Sequence, residues 1–363
     1  MIGAGVIGCA AAFELAEAGA RVRVIDARTP SAGASQASAG VLAPYVEGHG
    51  SPVLRALGRR SLDLYPSFVE RVVAASGREV EFDRIGTLEV AATEDERTRL
   101  ERSSLELGGE GVEAHWLDAA GLADREPNLA PHVIGGRQIP IHAVVHVPNL
   151  TVALAEGLAR RGVEMTTGCA ASRLAADGDA VVVHTEAGPL RAAQVVMAVG
   201  SWAPGLVPPG SSALPVRPIR GQLLHLAVPP RTLRHVVWGA DVYLVPWRDG
   251  TVFVGATSED VGFDERNTAA GVAGLLDAAI RLVPALAGAT FLEARRGLRP
   301  GSPDELPYVG RSAVLPGLVY ACGHYRNGAL LAPLTAALVA GLVRGEAADD
   351  ALAPLAPARA GRL

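Results

Sequence analysis

Residues 6–18 are almost all apolar or small and run to Gly19, after which Arg21-Val22-Arg23-Val24-Ile25 alternates and closes on Asp26. The pattern predicts a helix followed by a short strand. Between 52 and 76, Val53, Leu54, Leu57, Leu62, Leu64, Phe68, Val69, Val72 and Val73 recur at helical spacing. Strands are expected at 80–82 and 86–92, and Thr93-Glu94-Asp95-Glu96 then spells a capping box that opens a charged helix to about Leu107. Further on, 148–161 reads as a helix, 164–166 as a strand, 180–185 with 188–190 as a hairpin and 194–200 as a buried strand. From 214 to 254 short strands alternate with turns marked by Pro, Gly and Arg, which suits a large antiparallel sheet. A strand at 318–321, a glycine-rich turn and an apolar helix from Gly328 complete the pattern. The most apolar part of that helix, 329–343, is interrupted by Pro333 and reads as buried and too short to span a bilayer.

The first helix carries the earliest chemical signal. Gly3-Ala4-Gly5-Val6-Ile7-Gly8 is a G-x-G-x-x-G turn, and the strand after the helix ends in an acid. In a dinucleotide-binding βαβ unit Gly3 permits the tight turn, Gly5 lets the backbone approach a pyrophosphate, and Gly8 lets helix and strand pack closely. Asp26 stands where an acid holds ribose hydroxyls. The strand before the turn is the exception, because only Met1-Ile2 precedes Gly3 where four to six apolar residues are usual. Either that strand is truncated or the start was assigned too late, and dinucleotide affinity of the chain as written is expected to suffer. The small-residue stretch from Ala32 to Pro44 has neither helical nor strand period and reads as a loop that brings backbone N–H groups against a ligand.

The expected fold is α/β: a Rossmann-like dinucleotide domain and a second domain on a mostly antiparallel sheet. The first is assigned to 1–82, 142–208 and 296–345, the second to 83–141 and 209–295, with 346–363 as a C-terminal tail. At 363 residues, 49% apolar and 20% charged, the chain is long enough for both. A net charge of −5 gives no electrostatic case for nucleic acid or an anionic membrane. All 33 basic residues are Arg, which excludes lysine nucleophiles and a Walker-type phosphate lysine. Cys9, Cys169 and Cys322 are dispersed, which fits a reducing compartment, read as cytoplasm, and no structural zinc. His142 and His146 are expected on one side of a strand, without the further ligands a metal needs.

Two late segments are the most specific: Arg295-Arg296-Gly297-Leu298-Arg299-Pro300-Gly301-Ser302-Pro303-Asp304 and Gly323-His324-Tyr325-Arg326-Asn327-Gly328. With the N-terminal turn, Ala198-Val199-Gly200-Ser201-Trp202 and Arg220-Gly221-Gln222, they make nearly the whole chain resemble the glycine oxidases of the D-amino-acid oxidase family, associated with thiamine biosynthesis. The resemblance implies non-covalent FAD, oxidation of glycine and similar small amines to the imine, and reoxidation by O2 to H2O2. It implies a homotetramer as well. FAD contacts carried over by position are Gly3, Gly5, Val6, Ile7, Gly8, Asp26, Ala34, Ser35, Ser38, Ala39, Gly40, Val41, Leu42, Ala171, Ala198, Gly200, Trp202, Gly323, His324, Tyr325, Arg326, Asn327 and Gly328.

For the substrate, Arg299 matches the family's carboxylate-binding arginine, Tyr243 the tyrosine that shares the carboxylate, and Arg326 a second arginine at the site. An arginine suits this task because its planar fork makes two parallel charge-assisted bonds to a carboxylate. Arg299 read as a structural ion pair and Tyr243 read as core packing are the alternatives. No general base is required if hydride leaves a substrate whose amine is already neutral, and His324 is read as a contact and not as a proton shuttle. Ser258 stands where relatives carry a larger apolar residue, so substrates bulkier than glycine are expected to enter. A D-amino-acid dehydrogenase using another acceptor, and a catalytically silent flavin-binding module, are the competing readings.

Overall fold

The computed structural model describes residues 1–47, 50–230 and 232–363. One sheet runs, in spatial order, Glu164–Thr166, Arg23–Ile25, Ile2, Val195–Met197, Leu318–Cys322 and Tyr308–Arg311, and all neighbours are parallel except the last pair. The N-terminal stub therefore does not leave the sheet without its central member. Ile2 N donates to the Val196 carbonyl at 2.9 Å, and its own carbonyl accepts from Ala198 N at 2.8 Å. On the other edge Gly3 N donates to the Ile25 carbonyl at 2.8 Å. A single bridging residue, bonded on both sides, holds the position of a strand.

Alternation along these strands splits the core in two. Val24, Val196, Val319 and Ala321 face the helices, whereas Ile25, Val195, Met197, Leu318 and Tyr320 face a meander of Ala171–Asp177, Ala180–Thr185 and Gly188–Ala192. Burial on both faces is why the strands read as unbroken apolar runs. The predicted hairpin is present, with Ala171–Asp177 added as a third strand that its alanine-rich sequence does not announce.

Helices Val6–Glu17, Pro52–Ser76, Val147–Arg160 and Gly328–Arg344 pack together on one face of the sheet. The last of these corrects the length expected from sequence. It continues through Pro333 and, with the turn at Tyr325–Asn327, gives 20 residues, long and apolar enough to cross a membrane. Its apolarity is accounted for inside the protein, where 67% of the apolar window is buried. Proline removes the N–H that would reach the Ala329 carbonyl. The Tyr65 hydroxyl donates to that carbonyl instead, and Leu334 N donates to Ser61 Oγ at 3.3 Å. Two side chains of the neighbouring helix thus replace bonds the proline interrupts. Tyr65→Phe is expected to cost about 1–3 kcal/mol of stability through the unsatisfied buried carbonyl, read from denaturant unfolding.

The second sheet has eight strands in the order Thr290–Gly301, Arg217–Ala227, Thr251–Gly255, Tyr243–Pro246, Val236–Trp238, Thr87–Ala91, Gly135–Ile139 and His115–Asp118, antiparallel except between Val236–Trp238 and Thr87–Ala91. Helix Ala269–Leu282, with no counterpart in the sequence reading, covers one face. Strand Thr290–Gly301 crosses the boundary drawn at 295/296: it pairs with Arg217–Ala227 from end to end apart from a bulge at Leu292, while Gly297 presses against Ala34 of the dinucleotide region. Segment 346–363 folds back onto the first sheet, with Leu355 and Leu363 buried and Ala313 N bonded to the Leu363 carbonyl at 2.6 Å.

Candidate active site and dinucleotide cavity

A cavity of about 420 Å³ runs from Asp26 and Cys169, past Gly3, Gly5 and Ser35, to Arg299 and Tyr325. Its wall is made mostly of Gly, Ala and Ser. At one end the glycine turn is built by contact. Gly3 has φ +106°, and a methyl group there would overlap the Ala198 carbonyl oxygen. A methyl at Gly8 would overlap the Gly3 carbonyl, so Gly8 shapes the turn from behind the wall. Gly5 is different, because its missing methyl would meet only Ser35 Oγ at 3.4 Å. Asp26 ties the turn to the strand that precedes it: Oδ2 accepts from Ala4 N at 2.6 Å and Oδ1 from Arg28 N at 2.7 Å. Each oxygen keeps a second lone pair for a hydroxyl of a ligand.

The stretch expected to be a ligand loop divides in two. Ala34–Ala37 forms a short 3₁₀ turn on the cavity wall, and Ser35 Oγ accepts from Val6 N at 3.0 Å. The continuation is not loop. Val41–Leu42 is a strand paired with Ala143–Val145, and Ala39, Gly40, Val41 and Leu42 are buried behind the wall. Backbone pairing overrides the small-residue composition here, and Gly40 (φ +74°) is required because a methyl would overlap the Val145 carbonyl.

Val6, Ile7, Ala34, Ser38, Ala171, Ala198, Gly200, Trp202, Gly323, His324, Tyr325, Arg326 and Gly328 line the cavity as well, while Asn327 is buried at the start of the helix behind it. Residues not anticipated from sequence include Arg28, Ser31, Cys169, Gly297 and Pro300. Arg28 pairs with Glu265 through two bonds of 2.9 and 2.7 Å and lies 4.6 Å over the Trp202 ring, so it joins the two sheets at the rim.

The arrangement fits an extended anionic dinucleotide. Two helices, starting at Val6 and Gly328, begin at the wall and present their positive ends to it. Ser31 Oγ is buried against the cavity with no hydrogen-bond partner among the described residues, a polar atom left for a ligand to satisfy. His324 contributes no charge. It is buried, its Nε2 lies 3.0 Å from Thr335 Oγ1, and desolvation lowers its pKa from 6.5 to about 3. Because the folded state resists protonation, stability held at pH 7 is lost as pH falls from about 6.5 toward 3. From this source about 2 kcal/mol is expected to go by pH 5. Urea unfolding of the native chain and of His324→Gln at pH 7 and pH 5 checks this, and the variant should show the smaller change.

At the other end the second sheet supplies Arg299 and Tyr243. Cross-strand register puts Arg299, Gly297, Gly221, Gly255 and Tyr243 on one face. The guanidinium of Arg299 lies against Gly221 and the phenol of Tyr243 against Gly255; a methyl on either glycine would overlap them. Arg299 Nη1 donates to the Thr257 carbonyl at 2.9 Å. Among the described residues no acid pairs with Arg299, so it is not a structural ion pair; its remaining N–H groups stay available at the cavity wall. Tyr243 and Ser258 lie outside the lining. Ser258 is exposed and directly follows the carbonyl that holds Arg299. Arg326 is exposed, its guanidinium 5.0 Å from the Tyr325 ring centre. His142 and His146 do not share a strand face: His142 Nδ1 lies 2.8 Å from Thr87 Oγ1, whereas His146 caps helix Val147–Arg160.

Residues 1–342 match the family model described as DAO, FAD dependent oxidoreductase. A bifunctional protein ThiO/ThiG of Nostoc sp. is 39% identical over 360 residues, covering 97% of this chain and 53% of the relative. The chain thus spans about half the length of the ThiO/ThiG relatives it matches. A glycine oxidase of Geobacillus kaustophilus is 36% identical over 362 residues, covering 99% of this chain and 96% of the relative. The crystal structure of glycine oxidase from Geobacillus kaustophilus superposes with a TM-score of 0.95 at 35% identity, covering 99% of this chain and 97% of that one. A match that takes in the glycine turn, both sheets and the arginines of the cavity settles the lineage: this chain belongs to the DAO family of FAD-dependent oxidoreductases.

Proposed function

We propose that this chain oxidises glycine and similarly small amines, with FAD held non-covalently and O2 as the final acceptor, in the cytoplasm and in the service of thiamine biosynthesis. The observation that carries the reading is Arg299, a cavity-wall arginine with one nitrogen anchored on a main-chain carbonyl and no acidic partner among the described residues. A cation left in that state is built for a ligand's carboxylate. Bound FAD supplies the two-electron acceptor. The protein's own residues do the rest: Arg299 and Tyr243 hold the carboxylate, Arg326 adds positive charge at the mouth, and fixing the carboxylate orients the Cα hydrogen. Neutral His324, buried and bonded to Thr335, holds the turn at the helix start and moves no proton. The names of the glycine oxidase and ThiO/ThiG relatives support the same substrate and pathway.

We also keep the division into a dinucleotide domain and a substrate domain, with the cavity between the two sheets. Peroxide release in air tests the acceptor. With glycine, sarcosine and D-alanine as substrates, stoichiometric peroxide from glycine and measurable peroxide from sarcosine or D-alanine are expected, the latter because Ser258 is small. Turnover only with an artificial electron acceptor would replace the oxidase reading by a dehydrogenase.

A further inference from the structure

Arg220-Gly221-Gln222 has no role in the reading above, yet it lies directly beneath Arg299. We propose that this tripeptide is the platform that sets the position of Arg299, and that Glu259 is a positioning residue acting through it; this rests on Arg299 binding the substrate carboxylate. Strand alternation gives the platform two faces. On the cavity face, Gly221 is the surface on which the guanidinium lies. On the opposite face, Arg220, 4% exposed at its side chain, holds Glu259 at 2.5 Å and Asp264 at 2.9 Å, while its main chain pairs with Glu259 in both directions.

Gln222 completes the lock. Its main-chain N donates to Thr257 Oγ1 at 2.9 Å, its carbonyl accepts from Thr257 N at 3.2 Å, and its Nε2 donates to Glu259 Oε1 at 2.7 Å. Thr257 Oγ1 donates to the same Glu259 oxygen at 2.6 Å. Three of these bonds end on Thr257, whose carbonyl takes Arg299 Nη1, and the bond from Gln222 Nε2 holds the Glu259 carboxylate that one of them uses. Burial raises the pKa of Glu259, but bonds from Arg220, Thr257 and Gln222 outweigh it and bring it down to about 2, so the lock stays charged at working pH.

The test is acetate binding to flavin-loaded enzyme, followed by the shift of the flavin spectrum, with glycine KM and kcat measured separately. The atoms nearest to a methyl at Gly221 all belong to the end of the flexible Arg299 side chain, so Gly221→Ala is expected to fold, hold FAD and displace the guanidinium. Its acetate Kd and glycine KM should rise at least about tenfold while kcat at saturation falls much less, as expected for a misplaced binding group. Glu259→Gln and Thr257→Val should shift the same two constants in the same direction by about threefold or more. Thr257→Ser, which keeps the hydroxyl, should recover affinity relative to Thr257→Val. If Gly221→Ala does not fold, the Glu259 and Thr257 variants decide alone. Unchanged acetate affinity in these variants, where Arg299→Ala abolishes it, overturns the platform. Unchanged acetate affinity in Arg299→Ala overturns the underlying reading of the site.

Discussion

Replacing Arg299 by alanine is expected to lower kcat/KM for glycine by roughly 30- to 1,000-fold, because truncating one partner of a desolvated charge pair costs about 2–4 kcal/mol. Most of the loss should fall on KM, and FAD should remain bound, since the guanidinium touches Gly221 and Thr257 and none of the glycine turn. Lysine at this position keeps the charge without the planar fork and should recover only part of the loss. Steady-state kinetics with flavin content measured on the same samples separates the two effects. Equal glycine kinetics in Arg299→Ala would remove the carboxylate clamp from the account.

The second large effect is on the cofactor. Gly3→Ala places a methyl on the Ala198 carbonyl oxygen at a backbone angle that side chains rarely adopt. Strain of about 1–3 kcal/mol and a similar cost for the overlap are expected to weaken FAD by about 100-fold or more. Ile2, which bridges the two halves of the sheet, would be displaced with the turn. Gly5→Ala is the informative companion. Its methyl meets only Ser35 Oγ at 3.4 Å, so the apoprotein should fold normally. Flavin loss in Gly5→Ala therefore reports a pyrophosphate lying against the turn, and full flavin content in it would contradict that placement. The absorbance ratio of purified protein, with thermal melting beside it, reads both variants.

Much of this was legible because it depends on local rules. The glycine turn, the capping box at Thr93 and the apolar runs on both sides of the first sheet each follow from short-range geometry, and all appear in the structure. What sequence could not show is set by distant partners. Pro333 reads as a break, but Tyr65 and Ser61, far away in sequence, keep the helix running. Thr290–Gly301 contains two Gly and a Pro, poor strand residues in isolation, and becomes a strand because Arg217–Ala227 pairs with it on both sides of a bulge at Leu292. Val41–Leu42 is hidden among small residues for the same reason. At the site, Arg299 could be singled out from its motif. Its glycine floor lies on the neighbouring strand Arg217–Ala227, its carbonyl anchor just beyond the end of strand Thr251–Gly255, and both become visible only in three dimensions.

The most direct test is the visible spectrum of the flavin-loaded protein before and after anaerobic addition of glycine. Bleaching of the oxidised-flavin band by glycine, abolished or strongly slowed in Arg299→Ala, is the predicted result. A flavin band that persists in the presence of saturating glycine would contradict the proposed reaction.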